Sequence, residues 1–211
     1  LLMLVLVRTS LIDEWQTQLP ENTPNHFMLN IGPEDVQGVD QLLREHDIHS
    51  EALYPMIRGR IMAVNADELP STDDREEGRR QRESNFTWSD TLPADNRLVA
   101  GQWWEPHTEE ALVSIEQEFA ERLGIRLGDT VSFLAGSQPL QATVASIREL
   151  DWQSMRPNYF LVFPPRLLAS YPATFMTSFH LGPQDKPFLN RFIRAFPTVT
   201  VIEMDVVVEQ I

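Results

Sequence analysis

Between Ser114 and Pro165 the apolar residues change their spacing from helical to alternating, and this switch restricts the possible folds more than any other stretch. Ser114 with Gln117 three residues on has the form of a capping box, each side chain satisfying an orphan N–H of a helix start. Ile115, Phe119 and Leu123, with Ala120 beside them, recur at helical spacing, and Gly124 follows where a left-handed stop is favoured. Past Leu127-Gly128-Asp129 the period becomes two: Val131, Phe133 and Ala135 alternate with Thr130, Ser132 and Leu134. After a loop around Gly136 to Pro139, the spacing predicts that Leu140, Ala142, Val144 and Ser146 share one face and Thr143, Ala145 and Ile147 the other. A third apolar run, Tyr159 to Phe163, stops at Pro164-Pro165. The pattern is a helix feeding a β-rich unit.

On either side lies a βαβ pattern. Phe27, Leu29 and Ile31 alternate as a strand, and Pro33 suits the first helical position, with Glu34 and Asp35 at the positive helix end. Val36, Val39 and Leu43 form the inward stripe, with Leu42 at its edge and Arg44 and His46 in the last turn. Leu53 to Asn65 reads as the second strand, bent near Gly59. In the C-terminal part, Phe175 to Leu181 is a strand. Phe188, Phe192 and Phe196, with Leu189 and Ile193, give the helix from Pro187 an apolar face, and Val199 and Val201 mark a final strand. Each unit alone has too little sheet to bury its helix. The expected fold is therefore α+β: one discontinuous subdomain from residues 20–65 plus 178–204, with a β-rich subdomain, 66–177, inserted between.

The ends carry further expectations. Leu1 to Val7 is an apolar run, too short for a bilayer that needs ~20 residues; it fits a buried strand or the trimmed end of a transmembrane helix. Leu11, Ile12, Trp15 and Leu19 lie on one stripe, so residues 1–19 read as a membrane-helix end and its stalk, closed by Pro20. Asp205 suits the cap of a second stalk starting over 205–211.

A net charge of −14 argues against nucleic acid and anionic headgroups as partners and fits the outer side of a membrane. Without cysteine there is no disulfide, thiolate nucleophile or cysteine-bound metal. Glu68 to Glu83 is a dense mixture of both charges, read as a solvated arm with an option of a short exposed helix over Arg75 to Glu83. Its Asp73, Asp74, Glu76 and Glu77 lack the spacing and glycine of a calcium loop. His46 and His49 lack the spacing of a metal pair on one helix face. No nucleophile elbow, P-loop or dinucleotide fingerprint is present, so no catalytic residue, metal ligand or cofactor contact is assigned. The candidate contacts for a substrate or partner are Trp103, Trp104 and Trp152, large rigid side chains that serve equally as core.

The order of several short motifs resembles the extracytoplasmic core domain of FtsX/MacB-like ABC transporter permeases. These are Ser114-Ile115-Glu116-Gln117-Glu118-Phe119-Ala120, Leu123-Gly124-Ile125 and Leu127-Gly128-Asp129-Thr130. Phe86-Thr87-Trp88, Leu92-Pro93, Asn96, Gly101-Gln102-Trp103-Trp104, Arg148 to Trp152, Arg156 to Phe160 and Phe196 to Val199 are similar to a subgroup of large permeases. The resemblance implies a Porter-like subdomain formed by both chain ends, an inserted Sabre-like subdomain, and stalks that continue transmembrane helices. It implies a bacterial inner-membrane protein with this domain in the periplasm. ATP would be bound by a separate cytoplasmic ABC ATPase subunit, and a second permease half or second periplasmic domain would be a further partner. The implied work is mechanotransmission, serving export or extraction of a lipophilic substrate. In some relatives the domain instead recruits a periplasmic hydrolase such as an esterase. The long charged insert after Asp67 departs from the pattern.

Overall fold

The computed structural model describes residues 22–68 and 83–204. The expected stalks, the apolar start and nearly all of the charged arm lie outside the described residues; Glu83, at the arm's end, already opens a strand. In chain order the first elements are β1 (His26–Ile31), α1 (Val36–Glu45), β2 (Tyr54–Val64), β3 (Asp67–Glu68) and β4 (Glu83–Trp88). Next come β5 (Asn96–Gly101), β6 (Leu112–Glu116), α2 (Gln117–Leu123), β7 (Thr130–Ala135) and β8 (Gln138–Leu150). The last are β9 (Leu161–Phe163), α3 (Pro165–Leu168), β10 (Thr174–Phe179), α4 (Lys186–Ala195) and β11 (Thr200–Glu203).

The flanking segments interleave in one antiparallel sheet, ordered β11-β1-β10-β2. β1 and β2 are thus parallel with β10 between them, and β10 and β11 are parallel with β1 between them. This is the split βαβ arrangement of ferredoxin-like folds. Both helices cover the same core, in which Met28, Ile31, Val39, Leu43, Phe179 and Phe192 are buried. α1 and α4 approach closely at Gly38, where an added Cβ would stand 3.0 Å from Cζ of Phe196.

Three sequence expectations shift here. Asn30 takes a left-handed φ of 59° where the β1–β10 register slips, so Met28 and Ile31 turn inward in place of a strict Phe27/Leu29/Ile31 alternation. Pro33 lies in the turn, and α1 starts at Val36 with Asp35 at its N-cap. Ile193 falls off the buried stripe of α4 and is exposed.

β2 passes from this sheet into a second body. Its first residues pair with β10, Ile57 to Arg60 pair with β4, and Gly59 to Val64 pair with β7. The pairings β2-β4-β9-β6-β8-β7-β2 return to their starting strand, closing a six-stranded barrel. Ile57, Ile61, Phe86, Val131, Phe133, Val144, Leu161 and Phe163 belong to its core, to which α2 adds Phe119 and Ala120. Gly59 is obligatory at the crossing: a Cβ there would lie 2.3 Å from the Phe86 ring and 2.8 Å from the Leu134 carbonyl oxygen. β5 is attached outside the closed ring, on the far end of β8.

The capping box is not formed. β6 continues through Glu116 because it pairs with β8 that far, so Ser114 is a buried strand residue that accepts a hydrogen bond from Ser146 Oγ at 2.8 Å. Glu116 itself caps α2: its two carboxylate oxygens accept from the N–H groups of Glu118 at 2.9 Å and Phe119 at 2.7 Å. Gly124 ends the helix in the left-handed conformation, as its position foretold.

β8 carries another correction. Val113 pairs with Val144, but Ser114 pairs with Ser146, so Ala145 is an extra residue. That bulge reverses the parity of the strand. Leu140, Ala142 and Val144 fill the barrel, while Ser146 and Arg148 turn to the opposite side.

Candidate functional site

The two bodies meet in a cluster of their own. Trp104, Tyr159 and Val162 are buried there, with Tyr54, Met56 and Met176 from the β2–β10 pair packed against them. Across the same boundary Thr87 Oγ1 donates to the Pro55 carbonyl at 2.6 Å, and Arg156 Nε meets Glu51 Oε1 at 3.1 Å. Tyr54 and Tyr159 rings lie 6.3 Å apart. The Tyr159 hydroxyl is buried without a hydrogen-bond partner, and burial followed by the neighbouring Tyr54 pushes its pKa above the ordinary tyrosine range. Tyr54 is also raised, by burial first and then by the charges of Glu51 and Asp95.

Arg148 forms the centre of the polar part of this site. It is 0% exposed. One terminal nitrogen donates to Asn96 Oδ1 at 2.8 Å and the other to the Tyr159 carbonyl at 2.6 Å, while Nε has no partner. Burial pulls its pKa down to about 9, against the opposing pull of Glu116, its partner in register on β6, and Asp95. Around it the segment 151–160 is tied down. Asp151 N–H donates to the Asp95 carbonyl, Ser154 Oγ to Asp95 Oδ2, and Asn158 Nδ2 to the Asp151 carbonyl. Asn96 Nδ2 donates to Asn158 Oδ1 at 3.2 Å. The short motifs around Asn96, Arg148 and Asn158, far apart in sequence, therefore build one network that fixes a surface loop and its contact with the neighbouring body.

The three candidate tryptophans divide. Trp103 and Trp104 stack with centroids 4.1 Å apart, and their indole N–H groups donate to the carbonyls of Asp90 and Ser89. Trp104 is buried in the joint and Trp103 flanks it. Trp152 is 56% exposed and stands edge-on to Phe160 at 5.7 Å, whose ring stacks on Phe119. The structure thus places two of the three in packing and one on the surface, and does not bring Trp152 to the others.

His46 caps the end of α1 and faces Arg191 at 3.0 Å, in a shallow groove of about 190 Å³ beside Phe188. His49 is exposed. Among the described residues no three His, Cys, Asp or Glu side chains are grouped to hold a metal ion. The acidic residues Asp73 to Glu77 lie outside the described residues. No helix among the described residues is long and apolar enough to cross a membrane.

Sequence reasoning gave no role to Arg148, Asn96, Glu116 or Tyr159. One signal was present: Arg148 lies near the end of a long, mostly uncharged strand, where an arginine announces a desolvated charge that needs acceptors.

The chain is similar in sequence to a segment of an ABC transporter permease. It is 38% identical, over all 211 of its residues, to the uncharacterized ABC transporter permease YbbP of Escherichia coli strain K12. The match takes in 100% of this chain and 25% of that permease, so the chain spans about a quarter of the length of the relative. No family model matches the chain. A crystal structure of a domain of a putative permease protein from Porphyromonas gingivalis aligns with 85% of this chain and 89% of its own, at 10% identity and a TM-score of 0.46.

Proposed function

We propose that this chain is the periplasmic domain of an ABC transporter permease subunit, and that it relays ATP-driven motion of a cytoplasmic ATPase outward. The observation that carries the reading is the 38% identity, along the whole of this chain, to a segment of a permease. In this reading the sheet β11-β1-β10-β2 with α1 and α4 is the Porter-like part, mounted on stalks that continue membrane helices. The barrel with β5 is the Sabre-like part. The ion pair between Glu51 and Arg156 and the cluster around Tyr54 and Tyr159 transmit displacement from one to the other. The chain does no chemistry; ATP stays with the partner subunit, a second permease half or periplasmic domain completes the assembly, and the substrate is lipophilic material drawn from an inner membrane.

Because the chain has no cysteine, two can be introduced as unique labelling sites within it, at Ile193 on α4 and at Gln141 on the barrel. In the assembled permease with its ATPase, the distance distribution between labels should differ between nucleotide-free and ATP-bound states. Identical distributions would remove the relay.

The second reading is a docking module that recruits or regulates a periplasmic hydrolase such as an esterase without touching substrate. The exposed Trp152, held by a buried network, favours it. Saturable uptake of a hydrophobic dye by the chain supports direct substrate contact; none, together with a hydrolase bound through Trp152, supports docking.

A further inference from the structure

Three of the five large apolar side chains exposed among the described residues lie along β5: Trp152, Leu127 (48%) and Val99 (44%). Among those residues β5 pairs with β8 alone; on its other edge the Asn96 N–H is taken by the Pro93 carbonyl, and past it the backbone has no strand beside it. Trp152 stands past one end, where Asn96 pairs with Leu150 and Asp151 N–H reaches the Asp95 carbonyl. Leu127 stands at the other, its Cδ1 within 2.6 Å of where a Cβ on Gly101 would be. Val99 lies between, unmatched on β8 because the register passes from Leu98↔Arg148 to Ala100↔Ile147. The strand's one charge, Arg97, is paired with Glu149 on β8 and does not guard the open side as an edge lysine would. The ring of Trp152 rests edge-on against Phe160, which reduces the freedom lost when something packs against it.

We propose that the open edge of β5 docks an extended, apolar and basic segment of a partner protein as an added strand, with Trp152 and Leu127 as its two anchors. Complementarity of charge gives the basic character. Asp95, Asp129, Glu149 and Asp151 lie around the strand against Arg97 and Arg126, in a chain of net charge −14. The bulge at Val99 shortens the backbone ladder, and the anchors supply side-chain contact in its place. The inference goes beyond the relay reading and does not depend on it: it is tested with neither membrane nor ATPase present.

The probe is a fluorescein-labelled ten-residue peptide of alternating valine and lysine, titrated into the 211-residue chain and followed by anisotropy. Saturable binding is expected, with the valine–glutamate peptide roughly tenfold weaker or worse. W152A and L127E, both surface changes that leave the cores intact, should each weaken the lysine peptide about tenfold. Exchange of the β5 amides that point away from β8 should slow when the peptide is bound. No saturable binding, binding indifferent to both substitutions, or slowed exchange confined to other strands would overturn the proposal. So would protection, in the free chain, of the β5 amides that point away from β8, which would mean that another segment of the chain covers the edge. Sedimentation showing a dimer that W152A dissolves would also overturn it, by making a second copy the occupant.

Discussion

Arg156 and Glu51 meet at 3.1 Å across the boundary between the barrel and the ferredoxin-like sheet, the first from the loop that Arg148 anchors, the second from the residues leading into β2. Glu51 is also held through its backbone, by Ser178 and Thr177 of β10. The pair therefore joins two separately cored bodies at a point where both sides are fixed.

Its side chains are 37% and 17% exposed, so the coupling should exceed that of a surface pair but stay modest, about 1 kcal/mol. A double-mutant cycle with E51Q and R156Q, read by urea unfolding, should return that value. Amide exchange in residues 151–160 should quicken in either single variant while exchange in β1 and α4 does not. A coupling indistinguishable from zero would show that the hydrophobic cluster holds the joint unaided.

Removing the guanidinium at the centre of the network is expected to cost far more. Arg148→Leu leaves the Tyr159 carbonyl and Asn96 Oδ1 without their donor, and Glu116 without a nearby cation. The expected loss is about 3–5 kcal/mol, the range for breaking a buried charged network from one side. Arg148→Lys should recover little, since one ammonium cannot span both acceptors. The check is the denaturation midpoint of each variant, with Trp152 fluorescence reporting whether its loop has come free.

Tyr159→Phe should behave in the opposite way. The hydroxyl it removes is buried and unpartnered, so the variant should be as stable as the parent or up to about 1 kcal/mol more stable at pH 7. The sign at alkaline pH follows from the raised pKa values. The folded state keeps the protons of Tyr54 and Tyr159 after an unfolded chain would have lost them, so stability falls as pH rises above about 10, the ordinary tyrosine value. Phe at 159 should flatten that fall and leave the part due to Tyr54. Arg148 works against it, because its pKa, lowered to about 9, makes stability rise from there toward the ordinary arginine range. Urea midpoints from pH 8 to 11 for the parent, Tyr159→Phe and Tyr54→Phe separate these contributions.

The local periodicities carried much of this fold. Leu140, Ala142 and Val144 alternate in sequence and face the barrel in space, and Val39, Leu43, Phe188 and Phe192 fall on helix faces as their spacing requires. What failed was parity beyond a bulge: nothing in Thr143-Val144-Ala145-Ser146 marks Ala145 as the extra residue, because the cause is the pairing with β6 thirty residues earlier. Closure of the barrel is equally non-local, resting on β2 finding both β4 and β7. Of the site, the tryptophans were visible as residue types, but whether each packs or projects depends on partners such as Tyr159 and Phe160 that local pattern does not connect.

The start of α2 offers a discriminating pair of substitutions. A capping box would make Gln117 important, yet its side chain reaches only Glu121, one turn along on the surface. Gln117→Ala should therefore change stability by less than about 0.5 kcal/mol. Glu116→Ala removes both acceptors from the helix start and a charge facing Arg148, and should cost about 2 kcal/mol or more. Equal effects would return the cap to Ser114 and Gln117.

Gly59 tests the barrel itself. At this residue β2 pairs with Ser84 of β4 on one side and Ala135 of β7 on the other, so the strand has no free edge along which to shift. The Cβ of Gly59→Ala would overlap the Phe86 ring, which is wedged against Phe133 and Phe163 at centroid distances of 5.6 and 5.3 Å. Overpacking of this kind costs about 1–3 kcal/mol where neighbours can move, and here both the ring and the Leu134 carbonyl are held, so the upper part of that range is expected. Adding Phe86→Leu to Gly59→Ala should recover part of the loss, because the smaller side chain vacates the space the methyl needs, although Phe86→Leu alone destabilises. Thermal unfolding of the three variants decides it: recovery in the double variant supports the close approach at Gly59, and simple additivity of the two losses refutes it.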